Sequence, residues 1–197
     1  MSDTKISEKP IPRSATTQFS LQAQQTTDSD GGKLQTAGGK IAINFAGSDY
    51  YDEHTASLSA GVAGNTDLKP DPRTLRGSIG YELAFFNTNK NAGIAAGAEA
   101  IGVYNRDTDN LDKNLDAKLS LIGNFGRKLQ LSGSGVGGYV DHPSTSRKET
   151  QYGFETTGRY NLNRTLSFSG GFQRMFGWNT KQTTNTVTAE MNIITQK

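Results

Sequence analysis

The segment LRGSIGYELAF (residues 75–85) alternates between apolar and polar side chains along its whole length. The same alternation returns in LDAKLSLIGNF (residues 115–125) and in LSFSGGFQ (residues 166–173). Side chains of a β-strand point in turn to opposite faces of the sheet, so period two predicts strands with one apolar and one polar face. These stretches exceed the usual strand of about 5–6 residues and match the roughly 9–11 tilted residues that cross a bilayer.

Ten strand candidates follow from this pattern. The most regular ones cover residues 74–87, 92–104, 113–125, 127–140, 149–162, 164–176 and 183–195. Less regular ones cover residues 17–24, the stretch that holds Ile41, Ile43 and Phe45, and residues 55–63. Counting from Thr55 gives eight strands, and counting from Thr17 gives ten, which is the number that we favour. The fold class predicted is all-β, an antiparallel up-and-down meander closed as a transmembrane β-barrel of about 8–10 strands.

The connections predict two ends of different character. Short turns are expected at residues 87–91, 126–127 and 163–164, and longer polar loops at residues 105–112, 141–148 and 177–182. We divide the chain into an extended or disordered tail over residues 1–15 and a β-barrel over residues 16–197. Residues 16–54 hold the less regular strands and are a candidate docking segment.

Composition excludes several classes of protein. Only 33% of the residues are hydrophobic, and no stretch approaches the roughly 20 apolar residues of a membrane-spanning helix. A membrane-spanning β-strand does not need a continuous apolar stretch, because only every second residue faces lipid. The net charge of +2 comes from dispersed residues, so no sequence-specific nucleic-acid binding is predicted. The absence of cysteine removes disulfides and thiol chemistry.

The meander resembles the small outer-membrane β-barrel superfamily, whose members are OmpA-like or Opa-like. The resemblance rests on the alternation over residues 74–195 and on hairpins such as YNLNRTL (residues 160–166). It implies insertion in the outer membrane of a Gram-negative cell. Two features depart from the family: residues 1–10 lack the apolar core of a signal peptide, and the last strand ends in IITQK (residues 193–197) rather than in an aromatic residue.

Charged residues on the polar face are expected to line the barrel interior. They are Glu82, Glu99, Asp116, Lys118, Glu155, Arg159 and Glu190. The hairpin near residues 106–107 is expected to bring Glu99 close to Asp116 and Lys118. An eight-stranded barrel would be filled by such side chains as a plug, whereas a wider lumen or an oligomeric pore would make them an ion-selective lining.

Aromatic residues near the strand ends are expected to mark the two membrane interfaces. They are Phe85, Phe86, Tyr104, Phe125, Tyr139, Tyr152, Tyr160, Phe176 and Trp178. Arg174 lies in an apolar row but close to a strand end, where its guanidinium can reach the headgroups beside Phe176 and Trp178.

No catalytic residue, cofactor site or metal site is predicted. His54 and His142 are the only histidines, and they stand far apart in the sequence. HPS (residues 142–144) has the spacing of a His-x-Ser pair, but a loop histidine with no orienting acid is typically just solvated. GSGVGG (residues 133–138) looks like a phosphate-binding loop, but it continues a strand and opens no helix, so we interpret it as strand.

The leading hypothesis is a non-enzymatic outer-membrane β-barrel that acts as a pore component, an anchor or a surface-binding protein in contact with the lipid bilayer. One alternative is a virion-delivered protein that forms a conduit for DNA in the host outer membrane. In that case residues 1–50 would dock on sister subunits, as a homo-oligomer, or in a larger envelope or virion assembly. A second alternative is a soluble ligand-binding β-barrel with its apolar face inside.

Overall fold

Ten antiparallel strands form a closed barrel in the computed structural model, which describes residues 15–31, 33–48, 51–65, 74–106, 109–126, 128–142 and 147–196. The strands are β1 (Ala15–Asp28), β2 (Lys33–Ser48), β3 (Tyr51–Asn65), β4 (Thr74–Phe86), β5 (Ala92–Asn105), β6 (Asn110–Phe125), β7 (Leu129–His142), β8 (Arg147–Asn161), β9 (Leu166–Gly177) and β10 (Thr183–Gln196). Each strand pairs with its sequence neighbours, and β1 pairs with β10, so the sheet has no free edge. The prediction of a ten-stranded meander is confirmed.

The register of the strands sets the width of the barrel. A path through directly paired residues starts at Thr16 and returns to the same strand at Asp28. It crosses Asn44, Thr55, Glu82, Gly97, Lys118, Val136, Gly153, Met175 and Thr184 on the way. The barrel therefore closes with a shift of 12 residues, the difference between positions 28 and 16. Ten strands with this shift tilt by about 40° and enclose a backbone radius of about 10 Å.

The two ends of the barrel are named by the strand termini that they hold. Ala15 and Gln196 lie at the proximal end, together with the connections over residues 87–91, 126–128 and 162–165. The distal connections include residues 106–109, 143–146 and 178–182. The prediction of longer loops is wrong at residues 105–112 and 141–148, where the strands extend into the predicted loops, whereas the connection over residues 178–182 matches the predicted loop 177–182 to within one residue. Pairs such as Asn105 with Asn110 extend the ladder, because backbone hydrogen bonding needs no apolar side chain.

The apolar face of the sheet points outward along every strand. Leu119 and Leu121 expose 64% and 69% of their surface, whereas Ser120 between them exposes 4%. The first strands obey the same rule, since Phe19 and Leu21 are exposed and Ser20 is buried. The alternative of a soluble barrel with an apolar interior is therefore wrong for this chain.

Residues 1–14 of the predicted tail lie outside the described residues. No helix in the described part of the chain is long and apolar enough to cross a membrane.

Candidate functional site: the lumen of the barrel

The inward face carries all seven charged residues that were expected in the interior. Inward positions alternate with the exposed apolar ones, and they hold Glu82 on β4, Glu99 on β5, Asp116 and Lys118 on β6, Glu155 and Arg159 on β8, and Glu190 on β10. Glu99 stands directly opposite Asp116 in the register. The seven residues do not form one cluster, since Arg159 and Glu190 do not line the cavity that the other five share.

Lys118 is at the centre of the charged group. Its Nζ atom lies 3.6 Å from Oε2 of Glu82 and 4.0 Å from Oε2 of Glu155. Glu82 and Glu155 belong to strands on either side of β6, each two strands away, so the ammonium group joins two walls of the lumen. About a third of the Lys118 and Glu82 side chains remains exposed, 34% and 36%. The ion pairs are therefore within reach of water inside the barrel.

Inward glycines create the space for these charged side chains. Glu82 stands opposite Gly97, Glu99 opposite Gly80, and Asp116 opposite Gly138. A Cβ atom at Gly97 would lie 3.3 Å from Cβ of Glu82 and 3.0 Å from the carbonyl oxygen of Tyr81, and one at Gly138 would clash with the Asp116 carboxylate. Because these glycines have no side chain, the carboxylate side chains can lie along the inner wall of the barrel instead of extending to its axis.

Arg76 also lies over inward glycines, although it was not predicted to be one of the interior charges. Its guanidinium donates a hydrogen bond to the side-chain carbonyl of Gln24 on β1. To do so it crosses Gly61 and Gly38, which pair with each other on β3 and β2. Glu99 and Asp116 lie within electrostatic range of Arg76. Alternation along β4 is enough to place Arg76 on the inward face, because it lies between Leu75 and Gly77. The row of inward glycines that its side chain crosses, Gly61 on β3 and Gly38 on β2, can be recognised only from the register of these strands.

A polar cavity of about 230 Å³ lies among these groups, and we name it the central chamber. Four carboxylates and two ammonium groups line it: Glu82, Glu99, Asp116, Glu155, Lys40 and Lys118. Lys40 was not predicted to face the interior, because it lies in the less regular segment before Ile41. The acidic groups outnumber the basic ones, so the chamber favours cations. In the described residues no group of His, Asp or Glu has the arrangement of a metal site.

A neutral hydrogen-bonded layer fills the proximal part of the lumen beside β1, β9 and β10. Asn192 is its centre and is only 1% exposed. The Asn192 Oδ1 atom accepts hydrogen bonds from Gln18 Nε2 (2.8 Å) and Ser20 Oγ (2.7 Å), and Asn192 Nδ2 donates to Ser169 Oγ (3.0 Å). Ser169 in turn donates to Glu190 Oε2 (3.2 Å). We name Gln18, Ser20, Ser169 and Asn192 the proximal layer.

A second cavity, of about 530 Å³, opens at the proximal end, and we name it the proximal vestibule. Its charged lining is entirely basic and consists of Lys90, Lys128, Arg159 and Arg164. Arg159 donates from Nε to Ser167 Oγ over 3.1 Å. The sequence predicted Arg159 as an interior charge, but the other three basic residues come from three separate turns that only the closed barrel brings together.

Aromatic residues ring the outside of the barrel at two levels. Phe85, Phe125 and Tyr160 lie near the proximal end, and Tyr104, Tyr139, Tyr152, Phe176 and Trp178 lie near the distal end. On β8 the spacing from Tyr152 to Tyr160 corresponds to about 20 Å along the barrel axis, close to the roughly 25 Å of a membrane-embedded apolar band. Tyr152 stacks on Phe176 at 5.6 Å between ring centroids, and Arg174 lies 5.1 Å above the Phe176 ring.

Phe86 does not belong to these rings, and its assignment to the membrane interface is wrong. It follows the outward Phe85 directly, so strand alternation turns its side chain to the inward face. A Cβ atom at the inward Gly93 would lie 2.6 Å from Cδ1 of Phe86, which shows that the ring covers this glycine. Two consecutive residues of one regular strand cannot both face lipid.

The structure describes the glycine motif in full and the histidine motif only in part. Residues 133–138 lie within β7, so the interpretation of this segment as strand is confirmed. His142 ends β7, whereas Pro143 and Ser144 lie outside the described residues. The structure does not describe the side chains of His54 and His142 either.

Comparison with known proteins gives a structural match without a sequence match. No protein-family model matches the chain, and no curated protein matches its sequence. The barrel is similar to the crystal structure of an outer membrane channel from Pseudomonas putida F1, with a TM-score of 0.55 and 8% identity over 99% of this chain and 100% of that chain. Weaker similarities include Neisserial surface protein A (TM-score 0.39, 12% identity, 91% and 96% covered) and the β domain of the Bordetella autotransporter BrkA (0.46, 8%, 91% and 98%). The chain therefore has the fold of the outer-membrane β-barrels, and the resemblance noted in the sequence is confirmed at the level of fold.

Proposed function

We propose that this chain is a non-enzymatic β-barrel of a Gram-negative outer membrane whose lumen passes small hydrated cations. The observation that carries the proposal is the central chamber, where four carboxylates meet two lysines and the ion-paired side chains of Lys118, Glu82 and Glu155 stay 34%, 36% and 23% exposed. An apolar band between two aromatic rings supports the membrane location.

The charge of the chamber sets the preferred ion. At about 4–6 Å from a carboxylate, in a narrow lumen with low-dielectric walls, a permeating cation gains far more than it would in bulk water. Lys118 offsets part of that attraction, because its ammonium group already occupies the space between Glu82 and Glu155. Lys118 is therefore a tethered counter-ion, and permeating cations compete with it for the same carboxylates.

A second candidate, a membrane anchor with a closed lumen, is favoured by the proximal layer. The near-zero exposure of Asn192 means that this part of the interior is filled by protein. The two candidates differ in whether water is continuous past that layer.

The virion-delivered conduit stays a prediction. A single barrel with a backbone radius of about 10 Å leaves too little room between its inward side chains for duplex DNA, so passage of DNA would require several copies around a common axis.

Potassium flux into proteoliposomes tests the proposal. Vesicles that contain the protein should take up potassium faster than protein-free vesicles, and Lys118→Gln should increase the rate. Lys113→Gln is the matched control, because Lys113 lies on the same strand but faces outward. If vesicles with correctly inserted protein take up potassium no faster than protein-free vesicles, the pore hypothesis is rejected and the membrane anchor remains.

A further inference from the structure

We propose that the proximal vestibule is a binding site for a small multivalent oxyanion, of the phosphate class, that enters from the aqueous side. The proposal does not require conduction. It starts from the contrast between the two cavities of one lumen. The charged residues that line the central chamber are mainly acidic, whereas the charged residues in the described lining of the vestibule are all basic, namely Lys90, Lys128, Arg159 and Arg164. Glu53 and Glu190 lie within electrostatic range of Arg159 without lining the vestibule.

The vestibule is a concave site of suitable size. Its volume of about 530 Å³ falls within the roughly 300–1,000 Å³ of small-molecule sites. It exceeds the central chamber more than twofold. Its basic groups come from separate elements, namely the turn after β4, the turns before β7 and β9, and β8 itself. They therefore converge on a common volume instead of forming a stripe along the surface.

Half of the neutral residues that line the vestibule carry amide side chains. Asn124 donates from Nδ2 to the carbonyl oxygen of Lys90 (2.7 Å) and accepts from Nε2 of Gln130 (2.9 Å). These bonds tie the turn that carries Lys90 to the inner wall of β6 and β7. The backbone of Lys90 beside the vestibule is thereby held by neighbouring strands, and the turn is organised before a ligand arrives.

The residue types select an oxyanion. Arginine presents a planar fork of donors that matches phosphate oxygens, and lysine adds a compact positive charge. Two arginines and two lysines suit a ligand with several negative charges. Asn124, Gln130, Arg159 and Asn161 are at inward positions of their strands, so the ligand lies on the lumen axis and not among the lipid chains.

Titration calorimetry of the detergent-solubilised full chain with sodium tripolyphosphate tests this site. We expect saturable binding at a single site that weakens as salt is raised. A triple variant, Lys90→Gln with Lys128→Gln and Arg164→Gln, should lose at least about tenfold in affinity, because it removes three of four charges from exposed turns.

A matched triple variant at the distal end separates a site from a general charge effect. It combines Arg106→Gln, Lys113→Gln and Lys148→Gln, three exposed basic residues outside the vestibule, and it should bind as the unaltered protein does. Equal loss in both triple variants, or the absence of saturable binding, would overturn the proposal.

Nanodiscs distinguish the soluble anion from a lipid headgroup. Tripolyphosphate should bind equally in discs of phosphatidylcholine and in discs that also contain phosphatidylglycerol. If tripolyphosphate binds in neither, while phosphatidylglycerol copurifies with the protein and not with the proximal triple variant, the occupant is a lipid and the proposal for an aqueous ligand fails.

Discussion

The central chamber and the proximal layer fill the same lumen by opposite means. The chamber holds ion pairs in which the side chains of Lys118, Glu82 and Glu155 stay 34%, 36% and 23% exposed, whereas the layer holds neutral groups around Asn192, which is 1% exposed. A buried polar group that loses its partner is expensive, because water cannot replace the lost hydrogen bond. A partly hydrated ion pair loses little when it is broken. We therefore expect the layer to control stability and the chamber to control ion passage.

The largest effect is expected from Asn192→Leu in the proximal layer. Leucine would leave Gln18, Ser20 and Ser169 without the partner they share, and the free energy of unfolding should fall by about 3 kcal/mol. Urea unfolding of the barrel in lipid vesicles measures it. Asn185→Leu is the control, since Asn185 is at an outward position of the same strand, and it should change stability by less than about 0.5 kcal/mol. If both substitutions lowered the free energy of unfolding equally, the proximal layer would contribute no more to stability than the outer surface does.

An intermediate effect is expected from Gly138→Ala in the wall of the central chamber. The new methyl group would displace the Asp116 carboxylate, so the protein should lose about 1–3 kcal/mol of stability. The neighbouring Gly137→Ala serves as the comparison, because a Cβ atom there meets nothing within 4 Å on the outer face. The same unfolding assay applies, and a loss at Gly137 as large as that at Gly138 would contradict the account of the inner wall.

The smallest effect on stability is expected from Lys118→Ala, at the centre of the chamber. Water should solvate the exposed carboxylates of Glu82 and Glu155, so the loss should stay below about 1 kcal/mol. A loss of about 3–5 kcal/mol would instead indicate a dry plug with a stranded charge. Conductance for cations should rise in the same variant, which single-channel recording can establish on the protein used for unfolding.

The fold could be predicted from the sequence because its signal is local. Alternation in residues 75–85 or 115–125 is enough to assign the strand and its inward side chains, and the exposed Leu119 and buried Ser120 follow that rule. The same rule would have excluded Phe86 from the membrane interface, because it directly follows Phe85. The lengths of the loops predicted at residues 105–112 and 141–148 were wrong for a different reason: polar residues can continue a ladder, and hydropathy carries no signal for that.

The lumen could be predicted only in part, because its geometry depends on the register between distant strands. Alternation identified the inward face of Lys118, but its partners Glu82 and Glu155 are set by pairings across β4 to β8. The row of inward glycines beneath Arg76 exists because Gly38 and Gly61 pair with each other, and no local sequence pattern predicts that pairing. The proximal vestibule is assembled from separate turns in the same way. Such sites need the closed barrel before they can be recognised.

The reversal potential of the unaltered protein in a planar bilayer tests the central claim most directly. With potassium chloride more concentrated on one side, we predict steady conductance and a reversal potential displaced toward the equilibrium potential of potassium, because the acidic chamber is smaller than the basic vestibule and bulk salt screens it less. The basic vestibule is wider and opens to bulk salt, which screens it. A displacement toward the chloride potential, or inserted protein that never conducts, would contradict the account.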